Sequence, residues 1–298
     1  MKLKYALFGF LAVAGLLWAE DVDDSYAALQ AAVKNKDIEQ VKKLAPETAK
    51  LATALAAKPQ PSDASLVDNW KARVEFGKEV ASYSEYALSS MAASSTDPAQ
   101  TISLVDALID MNPKSTYLNA ATAYYLQALA KSGGAAKQAA GAEKLLKGNP
   151  NNEDALYALA SGRMNQSYAT RLVQVMKTKA KPEGVSEADW DKKKALFLGQ
   201  GYYIAGASAA SAQSWQDADV NLRAAIPYVG KDPGVAGNLY FYLGLADYNL
   251  AKLTGDRAKL AEAQKYSEQS ANMSGPMQQQ AARNAQVMRQ ELATPARR

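Results

Sequence analysis

Apolar residues recur at helical spacing along most of the chain, and short polar breaks separate the helical segments. Residues 25–34 and 37–57 are predicted to form an opening helix pair. After a proline-containing break, residues 66–91 predict one long helix and residues 98–111 predict its shorter partner. Such apolar stripes need a neighbouring helix to cover them, so the pattern favours an all-α protein built of packed pairs.

Four later segments share a pattern of a large residue, a small residue, any residue and a second small residue, although the first segment begins with alanine. Their first small residues are Ala121, Ala160, Gly199 and Gly244, with spacings of 39, 39 and 45 residues. Two equal spacings and a longer one predict a repeat with an insertion. A small residue lets a second helix approach closely, so these positions are predicted to lie at helix contacts.

A turn and a second helix are predicted to follow each of these motifs. The turns are expected at residues 132–134, 167–168, 214–215 and 254–256. The second helices are expected to stop near Pro150, Pro182, Pro233 and Pro276. Proline lacks the N–H that a helix interior needs, and it disfavours helix in the residue before it. The repeating unit is therefore helix, turn, helix and a turn marked by proline.

This unit resembles the tetratricopeptide repeat over residues 114–276. The resemblance rests on the four motifs, on Trp215-Gln216-Asp217-Ala218 opening a second helix, on Ala263 and on the closing prolines. It implies an all-α fold in which antiparallel helix pairs form a right-handed superhelical stack. The expected organisation is a signal peptide at 1–19, divergent helix pairs at 20–111, a repeat array at 112–276, and a capping helix and tail at 277–298. A hinge near Pro182 remains open.

The first segment is typical of a secretory signal peptide. Lys2 and Lys4 precede an apolar run at residues 5–19, and an acidic stretch follows. The run is too short to span a bilayer comfortably, and cleavage is predicted after Ala19 or after Gly15. An uncleaved N-terminal anchor is the alternative. We expect an exported protein of the periplasm or cell envelope with no stable membrane span after cleavage.

Composition narrows the chemistry open to the chain. Cysteine and histidine are both absent, which excludes thiol nucleophiles, iron–sulfur clusters and zinc sites that use these ligands. The formal net charge is +4, so no nucleic-acid partner is expected. No motif for phosphate, nucleophile or metal binding occurs, and we expect no catalytic residues, no cofactor and no metal.

The resemblance implies that the first helices of the pairs line a concave face. One side of those helices carries Leu118, Thr122, Tyr125, Tyr157, Ser161, Met164, Leu196, Gln200, Tyr203, Phe241, Leu245 and Tyr248. In chain order these residues fall into four groups of three, one for each first helix, and each group has helical spacing. Together they predict a tyrosine-rich groove for an extended or helical peptide.

The function expected from these features is a non-catalytic scaffold that binds an unidentified protein or peptide. The alternative is a helical-repeat protein that binds or processes envelope glycans. Glycosidases commonly use two carboxylates, and no Asp or Glu pair stands out in the sequence.

Overall fold

The computed structural model describes residues 21–294, and within that range the regular structure is entirely helical. Helix α1 covers residues 21–34, the first of those described. The other helices are α2 (Ile38–Ala56), α3 (Val67–Ser94), α4 (Pro98–Met111), α5 (Tyr117–Gly148), α6 (Glu153–Arg163), α7 (Gln166–Thr178), α8 (Glu187–Ser211), α9 (Trp215–Val229), α10 (Ala236–Thr254), α11 (Arg257–Ala271) and α12 (Gln278–Ala293). A short 3₁₀ helix, Ala64–Leu66, precedes α3. The all-α prediction is confirmed.

Helix α5 contains the predicted turn at residues 132–134. Gly133 has φ −165° and ψ 21°, and Gly134 has φ 66°, so neither residue is helical. The left-handed conformation of Gly134 is one that glycine adopts without a steric penalty. The element is therefore two helices that meet at a kink, as the pattern predicts.

Side-chain caps fix several helix starts. Asp97 accepts the N–H of Ala99 at 2.9 Å and starts α4, which has the predicted bounds. The turn between α6 and α7 lies earlier than predicted, at Met164 and Asn165 rather than at 167–168. Asn165 accepts the N–H groups of Ser167 and Tyr168, so these residues already belong to the first turn of α7.

The contacts between residues divide the described part of the chain into an N-terminal and a C-terminal unit, and the boundary lies after Pro150. In the N-terminal unit, α1 packs against α2 through Val22 and through a 2.7 Å hydrogen bond between the Ser25 and Thr48 hydroxyls. Helices α2 to α5 then each pack against the next, and α3 also contacts α5. The predicted boundary at residues 111 and 112 falls inside this unit because α4 and α5 pack together.

In the C-terminal unit, each helix from α6 to α12 packs against the next one in the chain. Alternate helices also touch, since α8 contacts both α6 and α10. Consecutive helices therefore form adjacent pairs, as in helical-repeat proteins. Pro182 lies between α7 and α8, two helices that pack against each other.

Close helix approach at the small residues of the motifs is confirmed at two contacts. A Cβ atom added to Gly201 would lie 2.8 Å from Cγ2 of Val173, and one added to Gly244 would lie 2.6 Å from Oγ of Ser267. The Gly244 Cβ would also lie 3.1 Å from the carbonyl oxygen of Ala263. Any larger residue would push α11 away from α10, so the glycines set the helix spacing there.

The predicted segments at the two ends of the chain differ in whether the structure describes them. The predicted signal peptide at 1–19 lies outside the described residues. At the other end, α12 packs on α11 and buries Ala281, Ala285 and Met288. No helix within residues 21–294 is long and apolar enough to cross a membrane.

Candidate functional site

Five aromatic side chains of the N-terminal unit form a continuous series of ring contacts, which we call the aromatic row. It consists of Phe76, Tyr26, Tyr83, Tyr86 and Tyr117, in order of contact. Successive ring centroids lie 5.9, 5.2, 6.1 and 5.9 Å apart. The interplanar angles of 80°, 86°, 47° and 61° show that the rings meet edge to face or tilted. Rings packed in this way stabilise one another and keep defined positions.

Three helices supply the row. Phe76, Tyr83 and Tyr86 lie on α3 at a spacing that places them on one side of the helix. Tyr26 comes from α1, and Tyr117 is the first residue of α5. The hydroxyl groups of Tyr117 and Ser82 lie 3.2 Å apart, which ties the start of α5 to α3.

An open cavity of about 500 Å³ lies beside three rings of the row, and the other two, Phe76 and Tyr26, pack against the core. Its lining consists of Tyr83, Tyr86, Tyr117, Ser82, Glu75, Lys78 and Glu79. The side chain of Tyr86 is 46% exposed. The cavity is therefore a shallow aromatic surface that solvent, or a partner, can reach.

Carboxylates border this surface. Glu75 Oε2 accepts from Nζ of Lys78 at 3.1 Å, and both side chains are well exposed. Glu79 makes no hydrogen bond or ion pair with any residue in the described range. An exposed ion pair contributes little to stability. Glu79 is therefore available to a cation from outside the chain, whereas Glu75 already has Lys78 as its partner.

The Tyr83 hydroxyl group of the row remains protonated at neutral pH. Burial raises the pKa of Tyr83 above its ordinary value, and the neighbouring Tyr26 and Tyr86 add to the effect. A protonated hydroxyl group both donates and accepts hydrogen bonds. The row thus offers apolar ring area together with neutral polar groups.

At one end of the row, the chain itself holds a guanidinium group. The Arg73 guanidinium carbon lies 4.8 Å from the centroid of the Phe76 ring. Arg73 Nη1 also donates to both carboxylate oxygens of Asp23, at 3.1 and 3.2 Å. A ring and a carboxylate together therefore fix an arginine on this surface.

The predicted groove residues of the N-terminal unit do not face solvent. Leu118 and Tyr125 are 2% exposed, and Thr122 is fully buried. Thr122 donates to the carbonyl of Leu118 at 2.7 Å, and the Tyr125 hydroxyl donates to Asp106 at 2.8 Å. All three residues are buried in the N-terminal unit, and Tyr125 joins α5 to α4, so their assignment to an open groove is corrected.

The other nine predicted groove residues lie in the C-terminal unit, and their exposure varies. Met164, Ser161 and Leu196 are exposed. The half-buried residues are Tyr157, Gln200, Tyr203, Phe241, Leu245 and Tyr248. Tyr157 stacks on Phe197 with a centroid distance of 4.8 Å, and the Tyr248 hydroxyl donates to Glu291 at 2.8 Å. Several of these side chains therefore already have partners within the unit.

The C-terminal unit contains a buried ionic cluster between α9, α10 and α11, which we call the Asp247 cluster. The fully buried carboxylate of Asp247 accepts from Arg223 Nη2 at 2.7 Å and from Lys259 Nζ at 2.9 Å. Arg223 Nε also donates to Asp219 at 2.5 Å, and its Nη2 group donates to Glu262 at 2.9 Å. The cluster thus joins three consecutive helices.

The two aspartates of this cluster affect each other's protonation. Burial raises the pKa of Asp247 to about 6, and the hydrogen bond with Asp219 adds to the rise. The pKa of Asp219 is lowered instead, because hydrogen bonds from Asp247 and Arg223 outweigh its burial. The pair therefore retains one proton in mildly acidic solution.

A second carboxylate pair lies at the start of α6. Glu153 is bonded to Lys179 and, at 3.1 Å, to Lys193, which also bonds Asp154 at 2.8 Å. The two lysines lower the pKa of Glu153 against the effect of its burial, whereas burial raises the pKa of Asp154. These carboxylates fix α6 to the end of α7 and to α8.

Sequence reasoning missed the aromatic row, although one signal for it was present. Phe76, Tyr83 and Tyr86 recur at helical spacing on the side of α3 that also carries Glu79. The pair of Asp219 and Asp247 had no such signal, because the two residues lie far apart in the chain.

Comparisons with known proteins identify no family for this chain. No family model matches it, and no curated protein matches it. Among solved structures, it is similar to a chain described as "Computational Design of Self-Assembling Cyclic Protein Homooligomers". The identity is 15%, the match covers 94% of this chain and 96% of the other, and the TM-score is 0.24. So low a TM-score supports no argument about fold or function.

Proposed function

We propose that this protein is a non-catalytic scaffold of the periplasm or cell envelope that binds a protein or peptide. The observation that carries the proposal is the aromatic row, in which Tyr83, Tyr86 and Tyr117 border an open cavity of about 500 Å³. Partly exposed tyrosines that support one another offer large contact area at a small cost in conformational entropy. Tyrosine is also enriched among the residues that dominate binding energy at protein interfaces.

The proposal includes a tetratricopeptide-like architecture with right-handed superhelical stacking. Its support is the contact of alternate helices α6, α8 and α10 and the glycine-mediated contact between α10 and α11. Two exposed apolar residues of the predicted groove in the C-terminal unit, Met164 and Leu196, provide a second candidate surface under this proposal.

The absence of catalysis is also part of the proposal. Paired carboxylates are the groups that glycan hydrolysis would use. In this chain, Asp219 and Asp247 are bound by Arg223 and Lys259, and Glu153 and Asp154 are bound by lysines. Because these carboxylates already bind cations of the chain, a structural role is favoured over a catalytic one.

A site-specific photocrosslink in the native host tests the scaffold proposal. A photoreactive phenylalanine at Ser82 would lie in the cavity beside Tyr83, Tyr86 and Tyr117. The same residue at exposed Ser211, in the C-terminal unit, is the matched control. We expect a discrete crosslinked protein from position 82 and a different or empty pattern from position 211.

Two outcomes would count against the proposal. Identical patterns from both positions would mean that the aromatic row recognises no partner. Crosslinks from position 82 to envelope glycan alone would favour the alternative, a glycan-binding helical-repeat protein.

A further inference from the structure

We infer that the aromatic row binds an extended, arginine-bearing segment of the partner protein. The inference rests on the proposed function and specifies the chemistry of the partner. It combines three features of the N-terminal unit: the length of the row, the spacing and tilt of its rings, and the carboxylates beside it.

The length of the row fits a short extended peptide. Phe76 and Tyr86 lie ten residues apart on α3, which corresponds to about 15 Å along a helix. An extended chain advances about 3.3 Å per residue, so about five residues can lie along the row. Side chains on one side of such a chain repeat about every 6.6 Å. The ring centroids, 5.2 to 6.1 Å apart, have a similar spacing.

The tilt of the rings favours side chains over sugar rings. Adjacent rings of the row are inclined by 47° to 86°, which makes a ridged surface. A pyranose ring stacks best on an exposed flat face, whereas peptide side chains can lie on the uneven outer surface of inclined rings that touch one another. The geometry thus favours a peptide over a glycan.

The negative charge next to the row favours a partner that carries a positive charge. Glu75 and Glu79 border the cavity, and Lys78 already neutralises one carboxylate. Glu79 therefore remains as a negative charge beside Tyr83, without an ion-pair partner among residues 21–294. A guanidinium group can stack on an aromatic face while it donates two hydrogen bonds to a carboxylate, which a lysine ammonium group does not do as well.

The chain shows this mode of binding at the other end of the same row. Arg73 lies over Phe76 and donates to both oxygens of Asp23. Tyr83 and Glu79 repeat the combination of ring and carboxylate, but with no cation of the chain to complete it. An arginine of the partner would complete this second arrangement.

Fluorescence anisotropy with defined peptides tests the inference on the purified protein. The probe is a fluorescein-labelled, nine-residue proline-rich peptide with two arginines. Its matched analogue has citrulline at both positions, which keeps the shape but removes the charge. We expect the arginine peptide to bind at least 10-fold more tightly, and raising the NaCl concentration from 50 to 500 mM to remove most of that difference because salt screens exposed charges.

Protein variants locate the binding. E79Q should weaken the arginine peptide about fivefold and leave the citrulline peptide unchanged, whereas E183Q, at an exposed loop position of the C-terminal unit, should change neither. Y86A should weaken both peptides, and Y86F should restore them because the ring is retained. Y228A is the matched aromatic control, since Tyr228 is 43% exposed and lies in the other unit.

Equal affinity for the two peptides, no binding of the arginine peptide at millimolar concentration, or equal effects of E79Q and E183Q would overturn the inference. Tighter binding of a chitotetraose probe that is lost in Y86A would overturn it in favour of a glycan. If Ser82 still crosslinks a protein while the peptides bind equally, the arginine preference is wrong and the scaffold proposal stands. If both experiments fail, the scaffold proposal falls as well.

Discussion

The two units differ in where their carboxylates lie and in whether these have partners within the chain. In the N-terminal unit, the rings of the aromatic row lie beside exposed carboxylates, and Glu79 has no ion-pair partner within the described part of the chain. In the C-terminal unit, Asp247 is fully buried between Arg223 and Lys259. A carboxylate with internal partners holds helices together, and one without them can bind something else. The difference separates a surface that could recognise a partner from a cluster that stabilises the fold.

The strongest test of this contrast is removal of the central cation of the Asp247 cluster. R223A should lower the free energy of unfolding by about 3 kcal/mol, because it leaves the buried carboxylates of Asp247 and Asp219 with Lys259 as their remaining cation. The value lies at the low end of the range for buried pairs because the Arg223 side chain is 31% exposed. Urea denaturation followed by circular dichroism measures the change.

The matched control for that variant is R283A, at an exposed position on α12. It should change the unfolding free energy by less than about 0.5 kcal/mol. Equal stability of R223A and R283A would mean that the cluster contributes nothing to the fold, and the contrast between the units would disappear.

A smaller effect is expected from the pH dependence of stability. The pKa of Asp247 is raised to about 6 in the folded protein, above the value of 3.8 for a free aspartate. The folded state therefore binds more protons than the unfolded state between these values, and stability decreases as the pH rises through 6. Between pH 5 and pH 7.5, the native protein should lose about 1 kcal/mol relative to D247N.

Urea titrations of both proteins at the two pH values provide the measurement. Because other groups titrate in both proteins, only the difference between them reports on Asp247. A difference that stays constant with pH, or that grows in favour of the native protein as the pH rises, would contradict the proposed protonation of the pair.

The smallest stability effect is expected at the aromatic row. Y86A should change the unfolding free energy by about 0.5 kcal/mol or less, because the side chain is 46% exposed and its contacts are at the surface. Thermal unfolding of Y86A next to Y228A measures this. A large loss of stability in Y86A alone would show that the row is part of the core of its unit, and binding data from that variant would then need the Y86F comparison.

Local signals in the sequence predict helices better than they predict sites. Pro98 and the cap Asp97 give both the start and the identity of α4, and Gly255 adopts the left-handed conformation expected where α10 ends. The turn after α6 was placed wrongly because Met164 takes a left-handed conformation, φ 46°, that its sequence does not signal. Capping is a short-range effect, so it can be predicted from a few neighbouring residues.

The candidate site depends on contacts between distant parts of the chain. Tyr26 and Tyr83 touch although they belong to different helices, and the helical pattern of either helix alone does not reveal the pairing. Tyr125 was assigned to an open surface because its position in the repeat suggested it, whereas α4 covers it and Asp106 accepts its hydroxyl proton in a hydrogen bond. Burial on one side of a helix depends on which neighbour lies there, and the sequence does not give that order of packing.

Contacts in both units join helices that are close in the chain, and this has a consequence for how the protein folds. Each helix from α2 to α12 packs against the one before or after it, and further contacts reach only two helices away. Chains with mostly local contacts fold quickly, because little entropy is lost in closing the loops between partners. A chain that emerges with its N-terminus first can complete each pair of helices before the next appears. The order of synthesis would then also be the order of assembly.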